Sequence, residues 1–268
     1  MPKNAARRTE RLVDPDRAGA PVFVLSDRHA KIAGPWHSHR RRQLLHVSAG
    51  VLTVETRAAR YVIPPQRAVW IPPGVEHRIL SAAPFWLTTC YVDAALMPTL
   101  PGETFAVSVD RLCDALLIAA SGFGADAPRS GKEERLVAVL LDCLAALPVF
   151  DVVLPLPESA RLRRVTDRLM ARPERSDTLA ELAAGAALTE RTAARLFKAE
   201  TGMAFGAWRL TLRVQLATGL LAGGMSVTQT AFAVGYRDVS SFIEAFRSVF
   251  GHTPSQMMKR QEGAREAG

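Results

Sequence analysis

The sequence predicts an α+β multidomain chain. A β-rich N-terminal barrel or sandwich comes first, two helices follow it, and an all-α domain of two helix-turn-helix units ends the chain. Three observations carry this. Short apolar runs recur at even spacing from residue 21 to residue 93, with Gly and Pro clusters in several of the turns between them. Helical periodicity replaces them between residues 110 and 147. Two similar units, 178–202 and 226–254, then stand in tandem with matched glycines and N-cap residues.

The strands are expected at 43–47, 51–56, 60–63, 68–71, 77–81 and 85–91, all rich in Val, Ile, Leu and aromatics. Gly50, Pro64-Pro65 and Pro72-Pro73-Gly74 supply turns. A first helix is expected at 110–120 with Leu112, Ala115, Leu116 and Ala119 inward. A second is expected at 133–147 with Leu136, Leu140, Leu141 and Leu144 inward. On their own apolar faces these two helices read as the cover of a sheet face. The loop 121–132 is rich in Gly, Ala and Asp. The segments are thus a polar, disordered arm at 1–20, a barrel at 21–109, a helical segment at 110–147, a linker at 148–157 with three prolines, and a helical domain at 158–262. The last opens with a helix at 159–171.

In the first unit Thr178 caps a helix through Leu179, Leu182 and Ala183, and Gly185 is expected to end it by adopting positive φ. Thr189 caps the next helix. Its Ala193, Leu196 and Phe197 share one face, and Arg191, Ala194, Arg195 and Lys198 share the other. The second unit buries Val227, Ala231 and Val234, turns at Gly235 and caps at Asp238. Phe242, Ala245, Phe246 and Val249 form its second apolar stripe, which leaves Val239, Ser240, Ser241, Ile243 and Glu244 outside. Arginines in the N-terminal half of such a helix suit a major groove, where they pair bidentately with guanine. A helical bundle with solvated arginines is the alternative, and the tandem repeat weighs against it.

The chain has 268 residues, a net charge of +8 and a pI near 10.0, which favours a polyanionic partner. Residues 158–268 hold 16 Lys and Arg against 11 Asp and Glu. Cys90, Cys113 and Cys143 are scattered without metal or redox spacing, as expected of reduced thiols. Residues 1–17 lack the apolar core of a signal peptide, and no uncharged apolar run is long enough to span a bilayer. A cytoplasmic protein without membrane attachment is the expectation.

The run Leu196-Phe-Lys-Ala-Glu-Thr-Gly202 resembles the end of the first recognition helix of AraC/XylS-type regulators. Ala233-Val-Gly-Tyr236, Ser241-Phe242, Ala245-Phe-Arg247 and Gly251-His-Thr-Pro254 resemble that family's signature in its second unit. The resemblance covers about a hundred residues. It implies a transcriptional regulator, activator or repressor, that reads double-stranded operator DNA, with RNA polymerase as a partner and a homodimer as its assembly, in which the helices at 110–120 and 133–147 would pack on the barrel and form the dimer interface rather than only cover a sheet face. By matching positions Arg191, Ala194 and Arg195 face bases, flanked by Thr192 and Lys198. Val239, Ser240 and Ser241 do so from the second unit. Glu244 departs from the pattern, since many members carry a basic residue there. A carboxylate repels phosphate or accepts from cytosine, so the first unit is expected to contribute more binding energy.

In the N-terminal half, His37-Ser-His39, Gln43 and Gly50, then Pro72-Pro-Gly74 and His77, look like the two motifs of the cupin barrel. The resemblance implies histidines gathered at the barrel mouth. Residues 37 and 39 share one strand face. His37, His39 and His77, with Gln43 where the pattern has an acid, form a candidate set for Zn, Ni, Fe or Mn. The other reading is that they line an effector cavity or bond to backbone. Trp36 and Trp70 are candidate cavity walls, and His46 is expected to be ordinary packing. The expectation is a regulator responsive to a small-molecule or metal effector. The rivals are a metal-dependent cupin enzyme of dioxygenase or isomerase type, fused to the helical domain, and a barrel that only dimerises.

Overall fold

The computed structural model describes residues 14–126, 129–150 and 153–259. Of the segments set out above, residues 1–13, 127–128, 151–152 and 260–262 lie outside them. Among the described residues ten strands build two antiparallel five-stranded sheets: β1 (Val22–His29), β2 (Ile32–Ala33), β3 (Arg42–Ala49), β4 (Leu52–Thr56), β5 (Ala59–Ile63), β6 (Arg67–Ile71), β7 (His77–Ser81), β8 (Phe85–Val92), β9 (Phe105–Ser108) and β10 (Val153–Pro155). One sheet runs β1-β8-β3-β6-β9 and the other β10-β5-β4-β7-β2.

Both faces of the first sheet are buried, and alternation divides its side chains. Leu45, Val47, Val69, Ile71, Phe85 and Leu87 meet Leu52, Val54, Tyr61 and Ile63 of the second sheet, which fills the space between the sheets. Leu44, Ala68, Trp70, Cys90 and Val92 point the other way. They are covered by α1 (Arg111–Ala120) and α2 (Gly131–Ala145). Asp110 caps α1, and Ser130 with Glu133 forms a capping box on α2.

The helical domain holds α3 (Ala160–Ala171), α4 (Leu179–Ala184), α5 (Glu190–Thr201), α6 (Phe205–Ala222), α7 (Val227–Ala233) and α8 (Val239–Phe250). The 18-residue α6 belongs to both halves: Trp208 and Leu212 enter the first unit's core, and Val214, Ala217 and Leu221 the second's. Thr178–Glu181 and Ser226–Gln229 capping boxes start α4 and α7, while Thr189 and Asp238 cap α5 and α8. Gly202 and Gly251 end the latter two helices in the left-handed region.

Several expectations are corrected. Gly185 keeps right-handed backbone at φ −65, and Ala187 takes the positive φ of 55 instead. The turn is closed later, by Leu188 N–H donating to Ala183 O at 2.9 Å. The buried face of α1 is Cys113, Leu117 and Ala120, which leaves Leu112 and Ala115 exposed. Residues 14–20 of the expected arm are tied down: Ala20 is fully buried, and Arg41 donates to Ala18 O at 2.7 Å and Ala20 O at 2.8 Å. The linker carries β10, which pairs with β5 (Leu154 opposite Arg60).

That strand joins the domains. Its backbone extends the second sheet, yet Leu154 and Leu156 pack with α3, α4, α5 and α6. Leu156 N–H donates to Ala58 O at 2.7 Å, and the indole of Trp208 donates to Pro155 O at 2.6 Å. Arg163 of α3 also donates to Arg57 O of the barrel. No helix among the described residues is long and apolar enough to cross a membrane.

Candidate nucleic-acid interface and sensor sites

The second helix of each unit presents a free outer surface. On α5, Ala193 and Phe197 are buried, while Arg191, Ala194, Arg195 and Lys198 are exposed. Among the described residues neither Arg191 nor Arg195 forms an ion pair, so both guanidiniums are available to an external acceptor. Lys198 is turned to its own helix end, donating to Gly202 O at 2.7 Å. Thr192 is half-buried, 2.9 Å from the Thr189 hydroxyl.

On α8 the buried stripe is Phe242, Ala245, Phe246 and Phe250, with Val249 half-buried at its edge. Ser240, Ser241 and Glu244 are exposed, and Val239 is half-buried against the core. The Ser241 hydroxyl donates to Asp238 at 2.8 Å, so it serves the helix cap. The Ser241 N–H first, and then this hydroxyl, hold the Asp238 carboxyl below its usual range. Arg237, exposed beside this cap, and Arg247, a signature residue on the outer face of α8, are cations that were not among the expected DNA-facing positions. Their place beside the assigned positions was the available signal.

The fold brings His37 and His39, two residues apart, together with His77 at the start of β7. Ring centroids lie 4.3 Å (37–77), 5.1 Å (39–77) and 6.3 Å (37–39) apart. Each Nδ1 faces a carbonyl, of Pro35, Arg41 and Val75 respectively. That fixes the tautomer and directs the Nε2 atoms elsewhere. His39 Nε2 meets the Gln43 amide at 3.0 Å, and Gln43 continues to Tyr91 OH at 2.9 Å. There the amide oxygen faces the ring and the amide nitrogen donates to the Tyr91 hydroxyl. His77 Nε2 is buried without a partner. Burial, then the neighbouring imidazoles, lower the His77 pKa to about 4, which keeps the ring neutral.

Three imidazoles around one zinc ion place their centroids about 5 Å apart, close to two of these separations. The donor type fits a transition metal. As arranged, however, no three His, Cys, Asp or Glu side chains among the described residues converge as a metal-holding group. His39 is committed to Gln43 and His37 is exposed.

The two tryptophans part company. Trp36 stacks under Arg57 (3.8 Å) and Arg78 (4.9 Å), and it borders a small polar recess against α3. Trp70 lies between the first sheet and α1–α2, on the face opposite Val69 and Ile71. It is therefore a core residue rather than a wall of the space between the sheets. His46 sits on that same outer face and bridges to Asp114 of α1 at 3.0 Å.

The larger cleft lies elsewhere, between the outer face of the second sheet and the helical domain. Its volume is about 420 Å³, and Val51, Leu80, Met170, Leu216, Leu220 and Val234 line it. Lys31 and Arg60 supply its charge. Arg60 is largely buried, bound to Glu55 at 2.9 Å, and its Nε lacks a partner.

Two tandem units with exposed helices of this kind, joined to a β-domain with a cleft at the joint, define a DNA-reading regulator. The comparisons agree. Residues 182–260 match the helix-turn-helix domain family, and residues 19–132 match the AraC-like ligand binding domain family. The transcriptional regulator NimR of Escherichia coli K12 is 29% identical over 249 residues, covering 92% of this chain and 91% of its own. RipA of Corynebacterium diphtheriae is 38% identical over 116 residues, 42% of this chain and 34% of that one. The structure of ToxT from Vibrio cholerae O395 spans 91% of this chain and 99% of its own, at 12% identity and a TM-score of 0.41. The chain is an AraC-family transcriptional regulator, not an enzyme: an AraC-like ligand-binding domain followed by a helix-turn-helix DNA-binding domain.

Proposed function

We propose that this regulator is a cytoplasmic, effector-responsive homodimer whose effector acts at the joint between barrel and DNA-binding domain. The observation that carries this reading is the cleft of about 420 Å³, whose walls come from both domains. A molecule held there contacts both, so its affinity depends on how they are docked, which is what coupling requires. The space between the sheets, by contrast, is filled by side chains. The lining suits a small, mostly apolar molecule with an acceptor group toward Lys31 or Arg60.

Base reading is assigned to Arg191, Ala194 and Arg195 of α5 and to Val239 and Ser240 of α8. Thr192, Lys198, Ser241 and Glu244 border these positions. Dimerisation is assigned to α1 and α2, where Leu112, Ile118 and Val139 are 58%, 54% and 48% exposed. RNA polymerase is the partner through which the DNA-bound protein acts. His37, His39 and His77 accept a transition metal only if Gln43 releases His39, which makes metal a second candidate effector.

A thermal-shift screen of small metabolites and divalent metals tests this, since a ligand raises the melting point. The screen is repeated with Gly219→Leu, which fills the cleft from α6. Hits lost in that variant bind the cleft. Hits kept by it but lost in His77→Asn bind the histidines. No hit in any form, with operator binding intact, leaves a barrel that only dimerises and refutes the sensor reading.

A further inference from the structure

The two units must hold a fixed separation if both are to meet one face of a duplex. Arg213, in the middle of α6, lies between them. Its guanidinium donates from Nε to Pro173 O at 3.0 Å, from Nη2 to Arg175 O at 2.9 Å and from Nη1 to Gly235 O at 3.0 Å. Pro173 and Arg175 belong to the segment that leads into α4, the start of the first unit. Gly235 is the turn between α7 and α8 in the second. One side chain thus satisfies three backbone carbonyls from both units. Only a planar fork of five N–H groups can do this at fixed angles.

The surroundings are shaped to this group. Gly235 has φ +90, and a Cβ there would lie 2.6 Å from Arg213 Nη2 and 2.9 Å from Pro173 O. The second of these is backbone and cannot yield cheaply, so the close approach demands glycine. One turn earlier on α6, Arg209 donates to Asp177 O at 2.8 Å, directly before the Thr178 cap. Asp177 is held in turn by Arg175 at 2.9 Å and Arg168 at 3.5 Å.

We propose that Arg213 is a positioning residue that sets the separation of α5 and α8, and so the number of base pairs between the two half-sites. It acts through the approach to α4 and the turn before α8, without touching DNA. The proposal rests on both units reading bases.

The test selects duplexes from a random-sequence pool with the full chain and with Arg213→Met, which keeps the apolar stem but makes none of the three donations. The unchanged protein is expected to enrich two short motifs at one separation. Arg213→Met is expected to enrich the same motifs over separations spread by one or more base pairs. It should bind the original duplex about tenfold more weakly. Arg213→Lys, which can serve one carbonyl at a time, should fall between them. A single sharp separation with unchanged affinity in Arg213→Met overturns the proposal. So does loss of one motif, or an Arg213→Met chain that does not fold, because the residue would then support a unit rather than space the two. If the unchanged protein enriches one motif only, the two-unit reading fails instead.

Discussion

Leu154→Ala perturbs the joint at its centre. The residue lies in a barrel strand by backbone pairing, yet its side chain is fully buried in the core of the first DNA-binding unit. Truncating a buried leucine costs about 2–5 kcal/mol, through lost transfer energy and the cavity left behind. Leu154 stands among Leu162, Val165, Phe197 and Trp208, all on helices anchored elsewhere, so the site collapses poorly. We therefore expect about 3 kcal/mol, roughly a hundredfold in the folded-to-unfolded ratio. The loss should move the melting point down by about 6–12 °C. Val153→Ala is the control. Its side chain is half-buried on the barrel side, so it should cost about 1 kcal/mol or less. Amide hydrogen exchange locates the effect. Protection in α3, α5 and α6 should fall with Leu154→Ala, while β3 and β6 hold theirs. A melting point within about 2 °C of the unchanged protein, or exchange that rises only in β5, would refute the claim that this strand belongs energetically to the DNA-binding domain.

Three further outcomes are expected. Arg195→Ala should relax base preference at one operator position and cost about 1–3 kcal/mol in specific binding, read by titration against point-mutated duplexes. An even loss on all sequences would make it a phosphate contact. Glu244→Arg should tighten DNA binding and steepen its salt dependence, measured as log affinity against log salt. Binding that is unchanged or weaker would show that Glu244 faces away from DNA or reads a base. His77 gives a pH dependence whose sign follows from burial. Its folded pKa of about 4 lies below the 6.5 of an exposed imidazole, so the unfolded chain takes up the proton first. Stability is full above pH 6.5 and declines as pH falls toward 4, by about 3 kcal/mol in all. Urea unfolding across that range should show the decline in metal-free protein. His77→Asn should flatten it, and an equally steep decline in that variant would assign it to other groups.

Much of this molecule is legible in its sequence because local rules and global packing agree. The caps at Thr178, Thr189 and Asp238 and the six strands between residues 43 and 91 follow from side-chain chemistry acting over a few residues. The failures share one cause: the deciding contact comes from a distant part of the chain. Alternation separates Trp70 from Val69 and Ile71, but both faces of that strand are buried, so it cannot say which face meets the other sheet. On α1, Leu112, Cys113, Ala115, Leu116, Leu117 and Ile118 are apolar nearly all round, so periodicity cannot choose the docked face. The leftover face, with Leu112 and Ile118, is the one assigned to a second subunit. β10 is three residues long among prolines and reads as linker. Proline is tolerated there because β10 is an edge strand. Arg213 reads as one more surface cation until the loops carrying Pro173, Arg175 and Gly235 are folded around it. These residues sit at the joints between structural units. A sensor must transmit force across such joints, through a strand whose backbone serves one domain and whose side chains serve the other. That is the physical reason to look for the effector at the cleft between the domains.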